Sequence, residues 1–280
     1  MKFLSMLLLL VGAAKLVAAP LQYDVSAGYT RDDNITRAEL ERDIEQDSIV
    51  DLGASATLKL PLNNISYFSV GASLALNHYL EYSKLDNTRI GAQGSYYIRP
   101  TSGYTAIKYF ASLGYEQRMY DSDLRESSAT QFGLGLSKRI TDRISMRLGY
   151  GKESIDADSD VFDADNKRLY LDTEYKLNNS NHCYLTLSKI DGDIVATTVP
   201  TTKIIQYSSA IVRDDAFLGL APDRYAYKLS AKTTVIAIGD SMSVGAGQNI
   251  DASLTFYDAS AYGGNDYSGM LLNLAYLLRF

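Results

Sequence analysis

Cysteine occurs once in this 280-residue chain, at Cys183, tryptophan not at all, histidine twice and proline five times. A single thiol cannot close an internal disulfide, so the fold must hold without cross-links. After the first nineteen residues no apolar window approaches the ~20 residues that a membrane-spanning helix needs. Any membrane-crossing form must then be a closed barrel, because only helices and closed barrels satisfy every backbone group in lipid. Basic residues are outnumbered too: 27 Lys and Arg stand against 33 Asp and Glu, a net charge of −6. Such an acidic chain argues against nucleic acid as a partner.

What is present begins with Met1-Lys2, an apolar run from Phe3 to Ala14, then Lys15 and the small residues Ala18 and Ala19. This pattern predicts a secretory signal peptide over residues 1–19, with no cysteine at the cut to make a lipoprotein. Losing Lys2 and Lys15 takes the charge from −6 to −8. Residues 20–280 then read as one domain. Its aromatics are chiefly tyrosine, 22 against 8 phenylalanines. Tyrosine sets a hydroxyl among headgroups and a ring in hydrocarbon, which suits the interfacial belts of a membrane barrel.

Stepping back by twos from Phe280 meets Leu278, Tyr276, Leu274, Leu272 and Met270, while the other parity holds Arg279, Ala275, Asn273 and Gly269. Alternation of this kind means a strand with one apolar face. It recurs in about twelve segments, from Leu21, Tyr23, Val25, Ala27 and Tyr29 through Ile144–Tyr150 and Tyr225–Ala237. The expected fold class is all-β: a closed antiparallel up-and-down transmembrane β-barrel of about 12 strands.

An even strand number puts both chain ends on the periplasmic side. Odd connections such as 31–47, 121–128, 156–166 and 198–224 read as long outer loops, and even ones such as Asn63-Asn64 and 141–143 as short turns. Residues 240–249 form the longest exception. Outer loops are acidic, with Asp32, Asp33, Glu39, Glu41, Asp43, Glu45 and Asp47 in the first, whereas inner turns carry Arg99, Lys138, Arg139, Arg143 and Lys176. Thr36 followed by Glu39 has capping-box spacing and predicts one or two helical turns over 38–45.

The closing stretch resembles the last strand of bacterial outer-membrane β-barrels. The fragments Gly28-Tyr29-Thr30-Arg31-Asp32-Asp33-Asn34 and Tyr276-Leu277-Leu278-Arg279-Phe280 look like those of a proteobacterial barrel group with no assigned activity. The resemblance implies the cell outer membrane as location. It also implies lipid and lipopolysaccharide as surroundings, and a barrel-assembly machinery that recognises Tyr276, Leu278 and Phe280.

The segment from Val235 through Gly239-Asp240-Ser241 to Gly245 also looks like the nucleophile block of SGNH hydrolases, and Gly263-Gly264-Asn265-Asp266 like their oxyanion block. Those enzymes need a downstream Asp-x-x-His to take the proton from serine. Here His78 and His182 both lie upstream, and too little chain follows Ser241 for that fold. In barrel phospholipases a Ser and a His stand together; His78 has no matching Ser, and His182 is expected in a periplasmic turn. An esterase or phospholipase is therefore the remote alternative, and no enzyme and no cofactor is expected.

Asp156-x-Asp158-x-Asp160 opens like a calcium loop, but Val161 and Lys167 stand where Gly and Glu belong. These three aspartates are weak metal candidates. The inward parity is the expected functional surface: Arg89, Lys108, Arg118, Arg147, Arg168, Lys228 and Lys232, facing Asp24, Asp51, Glu116, Asp172 and Glu174. Opposed charges cross-link and narrow a lumen, whereas a basic ladder conducts anionic solutes such as acidic oligosaccharides. The first expectation is a small porin-like or exopolysaccharide-related transport barrel taking a small anionic solute or saccharide. The alternative is a non-conducting barrel whose acidic loops bind something outside.

Overall fold

The computed structural model describes residues 21–280; the segment read as a signal peptide lies outside the described residues. The strands are β1 (Leu21–Asp32), β2 (Asp47–Pro61), β3 (Ser66–Tyr79), β4 (Asn87–Ile98), β5 (Lys108–Tyr120), β6 (Ser127–Arg139) and β7 (Ile144–Ala157). They continue with β8 (Ala164–Lys176), β9 (Asn181–Thr198), β10 (Ala210–Arg213), β11 (Tyr225–Gly245), β12 (Gln248–Ala261) and β13 (Asn265–Arg279). Each strand pairs antiparallel with the next from β1 to β9. β9 then pairs with β11, and β13 returns to β1, closing a ring of twelve. At the seam Asp24 faces Arg279 and Asp32 faces Leu271, and Tyr23 and Phe280 exchange backbone hydrogen bonds.

β10 lies outside that ring, paired to the start of β11, and was not expected from the alternation. Two other expectations fail. Residues 240–249 are no long connection: β11 runs to Gly245 and turns at 246–247, where Gly247 takes a positive φ of 69°. The predicted helical turns over 38–45 shrink to one 3-10 turn, Glu41–Asp43, without a side-chain cap. Thr36 is buried instead and donates its hydroxyl to the Asp43 carbonyl at 2.9 Å.

Connections 62–65, 99–107, 140–143, 177–180 and 246–247 gather at the end holding Leu21 and Phe280, here the turn end. Connections 33–46, 80–86, 121–126, 158–163, 199–224 and 262–264 gather at the loop end. Around the wall the apolar parity points outward, leaving Val25, Leu52, Leu74, Ile90, Leu113, Leu134, Leu148 and Leu272 exposed. A closed ring has no edge, so this apolar face needs no protein partner in lipid. Tyr23 and Tyr29 project from β1, and Tyr109 and Tyr115 from β5, all exposed. Six residues at ~3.3 Å each separate the members of a pair by roughly 20 Å, near the height of a barrel's apolar band.

Toward the loop end of β11, β12 and β13 the pattern reverses. Tyr227, Leu229, Ala231, Tyr257, Ala259, Ala261 and Tyr267 are buried, while Lys232, Ser260 and Asp266 on the opposite parity are exposed. The apolar face turns inward because loops fold into the barrel mouth and cover it. The helix α1 (Thr202–Tyr207), capped by the Thr201 hydroxyl, seats Ile204 against Ala196, Tyr227, Leu229, Ala231 and Ala261. Phe217 and Ala216 join Leu85 in a second cluster, packed against Tyr79 and Tyr82.

Charged groups buried in this lid are paired, as burial requires. Arg224 meets Asp43 at 3.0 Å, and Asp43 also accepts from the Thr198 hydroxyl. Arg125 meets Asp214 at 2.7 Å, and Thr197 donates to the same carboxylate at 2.6 Å.

Candidate functional site

At the turn end the lumen opens into a vestibule of about 1070 Å³. One inward row crosses its wall as Lys108, Ser137, Arg147, Asp172 and Thr186, successive partners in the strand register. One step deeper runs a second row: Tyr67, Tyr97, Phe110, Gly135, Gly149, Tyr170 and Ser188. Tyr67 and Tyr97 stack at 4.7 Å between ring centroids and 13° between planes. Phe110 lies over Gly135 and Tyr170 over Gly149, so closely that a Cβ on either glycine would strike the ring. Glycine is required there because the rings lie flat along the wall and so leave the lumen open.

Cations sit on these rings. Lys108 Nζ is 5.2 Å from the Tyr97 centroid, and the guanidinium of Arg147 is 5.8 Å from Phe110. Nearer the mouth Arg139 covers Tyr104 at 4.6 Å, and Arg99 lines the same space. The facing wall is acidic and hydroxylated. Glu174 accepts from Ser145 Oγ at 3.1 Å and lies 2.9 Å from His182 Nδ1; Tyr184 donates to Asp251 at 2.9 Å. The vestibule therefore has a basic, aromatic side on β3–β7 and an acidic side on β8–β12.

Above it polar side chains link neighbouring strands along the inner wall. Arg118 bridges Glu116 at 2.6 Å and Glu153 at 2.8 Å, Gln131 donates to Glu153, and Arg168 donates to Ser188. Arg89 stands opposite Arg118 in the register. Beyond this layer a smaller cavity of about 280 Å³ lies under the lid, and no residue lines both cavities. Its lining includes Arg37, which holds a positive φ of 53° and pairs with Asp32 through both guanidinium nitrogens at 2.9 and 2.8 Å. Burial alone would lower the Arg37 pKa, but the Asp32 carboxylate outweighs it and holds the guanidinium charged, above its ordinary value.

Of the residues expected in the lumen, Lys108, Arg147, Asp172 and Glu174 come together in the vestibule. Glu116 and Arg118 form the polar layer with Arg168 and Arg89 beside it. Lys228 and Lys232 do not belong: they share the parity of Ile236 and Ile238, which face outward, so both lie on the outer wall. Their misplacement has a physical cause. The apolar parity of 225–233 faces the in-folded loops rather than lipid. Asp156, Asp158 and Asp160 are exposed, and among the described residues no three metal-capable side chains converge. Tyr276 and Phe280 are exposed and Leu278 partly buried, all on the outward parity.

His182 is not in a turn; it belongs to β9, directly opposite Ser241. Among the described residues no hydrogen bond joins the two, and the second hydrolase-like block lies at the other end of the barrel. The aromatic row was missed by sequence reading. Its signal was available: Tyr67, Tyr97, Phe110 and Tyr170 break the polar parity where neighbouring strands carry glycine.

No protein family and no curated protein matches this sequence. Solved structures do. An outer membrane channel from Pseudomonas putida F1 is similar with a TM-score of 0.61 over 94% of this chain and 96% of that one, at 10% identity. The NanC porin is similar with a TM-score of 0.50 over 91% and 98%, at 8% identity. The fold is that of a bacterial outer-membrane β-barrel. Likeness at these identities carries the outer-membrane architecture; the substrate has to be argued from the barrel's own lining.

Proposed function

We propose that this protein is a channel of the outer membrane, its loop end outside and its turn end toward the periplasm, for small anionic solutes that present a ring or sugar face. The juxtaposition of the Lys108 and Arg147 row with the Tyr67, Tyr97, Phe110 and Tyr170 row carries this reading. Arg and Lys pair with carboxylates, and flat aromatic rings pack on planar or saccharide faces. Asp172 and Glu174 across the vestibule accept hydroxyl hydrogens, so an acidic saccharide fits both walls. The lid makes the resting state narrow.

Planar-bilayer recordings test this. The expected result is a small current with anion preference in a salt gradient, reduced by a uronic-acid disaccharide and not by a neutral one. The loops folded into the mouth favour a second reading, a non-conducting barrel that binds through its loops. Silence in the wild type and in a variant with an opened lid would establish the second reading over the first. The proposal is not enzymatic. Purified protein that hydrolysed a short-chain nitrophenyl ester, and lost that activity in Ser241→Ala, would overturn this.

A further inference from the structure

An arc of cations rims the turn end from β2 to β7: Lys59 near the end of β2, Arg99 after β4, Lys108 opening β5, Arg139 closing β6, Arg143 in the turn that follows and Arg147 on β7. The charged neighbours of Lys108 are Arg147, Lys59 and Arg99, all of one sign. None of the six forms an ion pair or a side-chain hydrogen bond among the described residues, whereas Arg118, Arg125 and Arg224 are all paired. The segments that build the arc, 55–70, 93–112 and 133–150, contain Asp142 as their only acid, and Lys138 adds a further cation. Carboxylates bordering the arc are already engaged: Asp24 by Arg279 at 2.6 Å, Asp172 by Thr186 at 2.9 Å, Glu174 by Ser145 and His182. The barrel therefore carries an unbalanced field of one sign on one half of one rim.

Neighbouring strands lie ~4.8 Å apart, so the arc from β2 to β7 runs roughly 25 Å, the reach of about seven extended residues. A small solute meets one or two of these cations at a time; matching the whole arc takes a chain of anions. At the middle of the arc, connection 99–107 is longer than its neighbours 62–65 and 140–143. It presents Tyr104, exposed under the Arg139 guanidinium at 4.6 Å. Leu62, Ile65 and Ile140 are exposed in the flanking connections, past the strand ends, and the Ile65 carbonyl accepts from the Arg99 backbone N–H at 2.7 Å. Tyr and Arg beside aliphatic side chains are the make-up of a protein-binding surface. A polysaccharide brings carboxylates but no aliphatic side chain to cover Leu62, Ile65 and Ile140.

We propose that this half of the turn-end rim docks an extended segment of a periplasmic protein, rich in Asp and Glu and carrying an apolar residue. The inference rests on the orientation given under Proposed function, turn end toward the periplasm, and goes beyond that reading by adding a protein partner. Arg99, Tyr104 and Arg139 line the vestibule as well as the rim, so a docked segment lies across the vestibule mouth and competes with an anionic solute.

The test uses the full-length protein in detergent and a fluorescently labelled eight-residue peptide of six Glu and two Leu, with octaglutamate, an eight-unit uronic-acid oligosaccharide and phosphatidylglycerol vesicles as competitors. Expected are binding that weakens with salt and a preference of at least tenfold for the leucine-bearing peptide over octaglutamate and over the oligosaccharide. A variant combining Arg99→Gln, Arg139→Gln and Arg143→Gln should lose about fourfold per cation, roughly sixtyfold in all. Tyr104→Ala, which leaves every charge in place, should lose about tenfold. Lys189→Gln, on the outer wall of β9, should bind like wild type. No binding, or a triple variant and Tyr104→Ala that both bind normally, overturns the proposal. An oligosaccharide that competes as well as the peptide overturns it in favour of a longer solute, and full displacement by the vesicles overturns it in favour of a lipid surface. Conductance separates the two readings: a selective current without peptide binding defeats this inference alone, and peptide binding without current defeats the channel alone.

Discussion

The two ends of the barrel obey opposite rules. In the half toward the turns, side chains such as Leu272, Leu254 and Ile238 point out and Asp172, Thr186 and Asp251 point in. In the half toward the loops of β11–β13, Leu229, Ala231, Ala259 and Tyr267 point in while Lys232, Ser260 and Asp266 point out. The first is the pattern of a barrel in lipid and the second that of a water-soluble domain with its own core. One strand carries both, because an apolar face turns toward whatever replaces water: hydrocarbon at one level, folded loops at the next. The lid is thus a small soluble-type core built on a membrane barrel.

The largest expected effect comes from breaking what holds that core. Arg224→Met leaves the buried Asp43 carboxylate with only the exposed Arg42 at 3.7 Å, a loss on the order of 3–5 kcal/mol. This should release residues 33–46 and 199–224 from the mouth while the ring stays closed. Expected readouts are a several-fold larger single-channel current and new protease cleavage within both segments. An Asp43→Asn, Arg224→Met double variant, which removes both charges, should recover most of the closure. An Arg224→Met variant with unchanged current and protected loops would show that the lid is held elsewhere.

A matched pair of truncations sharpens the contrast. Leu229→Ala removes a side chain 2% exposed in the lid core, and should cost the lid roughly 2–5 kcal/mol as a cavity forms. Leu272→Ala acts on a lipid-facing side chain 52% exposed and should cost under ~1 kcal/mol, since acyl chains refill the space. Denaturant titration in detergent, followed by loop proteolysis and by barrel circular dichroism, separates the two. Equal costs would mean that the apolar parity does not reverse.

This reversal explains how far the sequence could be read. Twelve ring strands and their order were legible because the alternation is strong; connection length was a weaker guide, since 99–107 at the turn end is longer than 121–126 or 262–264 at the loop end. Lys108, Arg147, Asp172 and Glu174, which line the vestibule, could be set on the inward face for the same reason: Leu148 beside Arg147 and Leu171 beside Asp172 keep the outward parity. At Val235-Ile236-Ala237-Ile238 four apolar residues run together, so the change of face is silent there, and Lys228 and Lys232 were read on the wrong side. Strand β10 spans four residues, too few for periodicity to show. The lid was illegible because its core joins Ile204, Phe217 and Leu85, which are far apart in the chain.

Charge reversal in the vestibule has a more moderate expected effect. Lys108→Glu with Arg147→Glu replaces the basic row of one wall by an acidic one facing Asp172 and Glu174. The anion-to-cation permeability ratio should fall roughly tenfold, read from reversal potentials in a salt gradient. The same two changes should abolish block by a uronic-acid disaccharide. An unchanged ratio would place the selective element in the Arg118 layer instead, where Arg118→Gln becomes the decisive variant.

The smallest expected effect is a pH response that belongs to the loop end alone. Tyr82 sits in connection 80–86, tilted against Phe217 of the long connection at 4.7 Å between centroids, and donates to Glu45 at 2.8 Å. Burial and then the hydrogen bond to Glu45 both favour the neutral phenol, so its pKa is raised above the ordinary 10.0. A raised pKa in the folded lid means that the phenol stabilises closure below about pH 10. That contribution falls away as pH climbs above it toward the folded value. Wild type minus Tyr82→Phe, followed by phenolate absorbance, should therefore titrate above 10, and loop proteolysis of the wild type alone should rise over the same interval. A difference titration centred at 10 would mean that Tyr82 meets water freely, and that the loops do not rest on Phe217 as the closed lid requires.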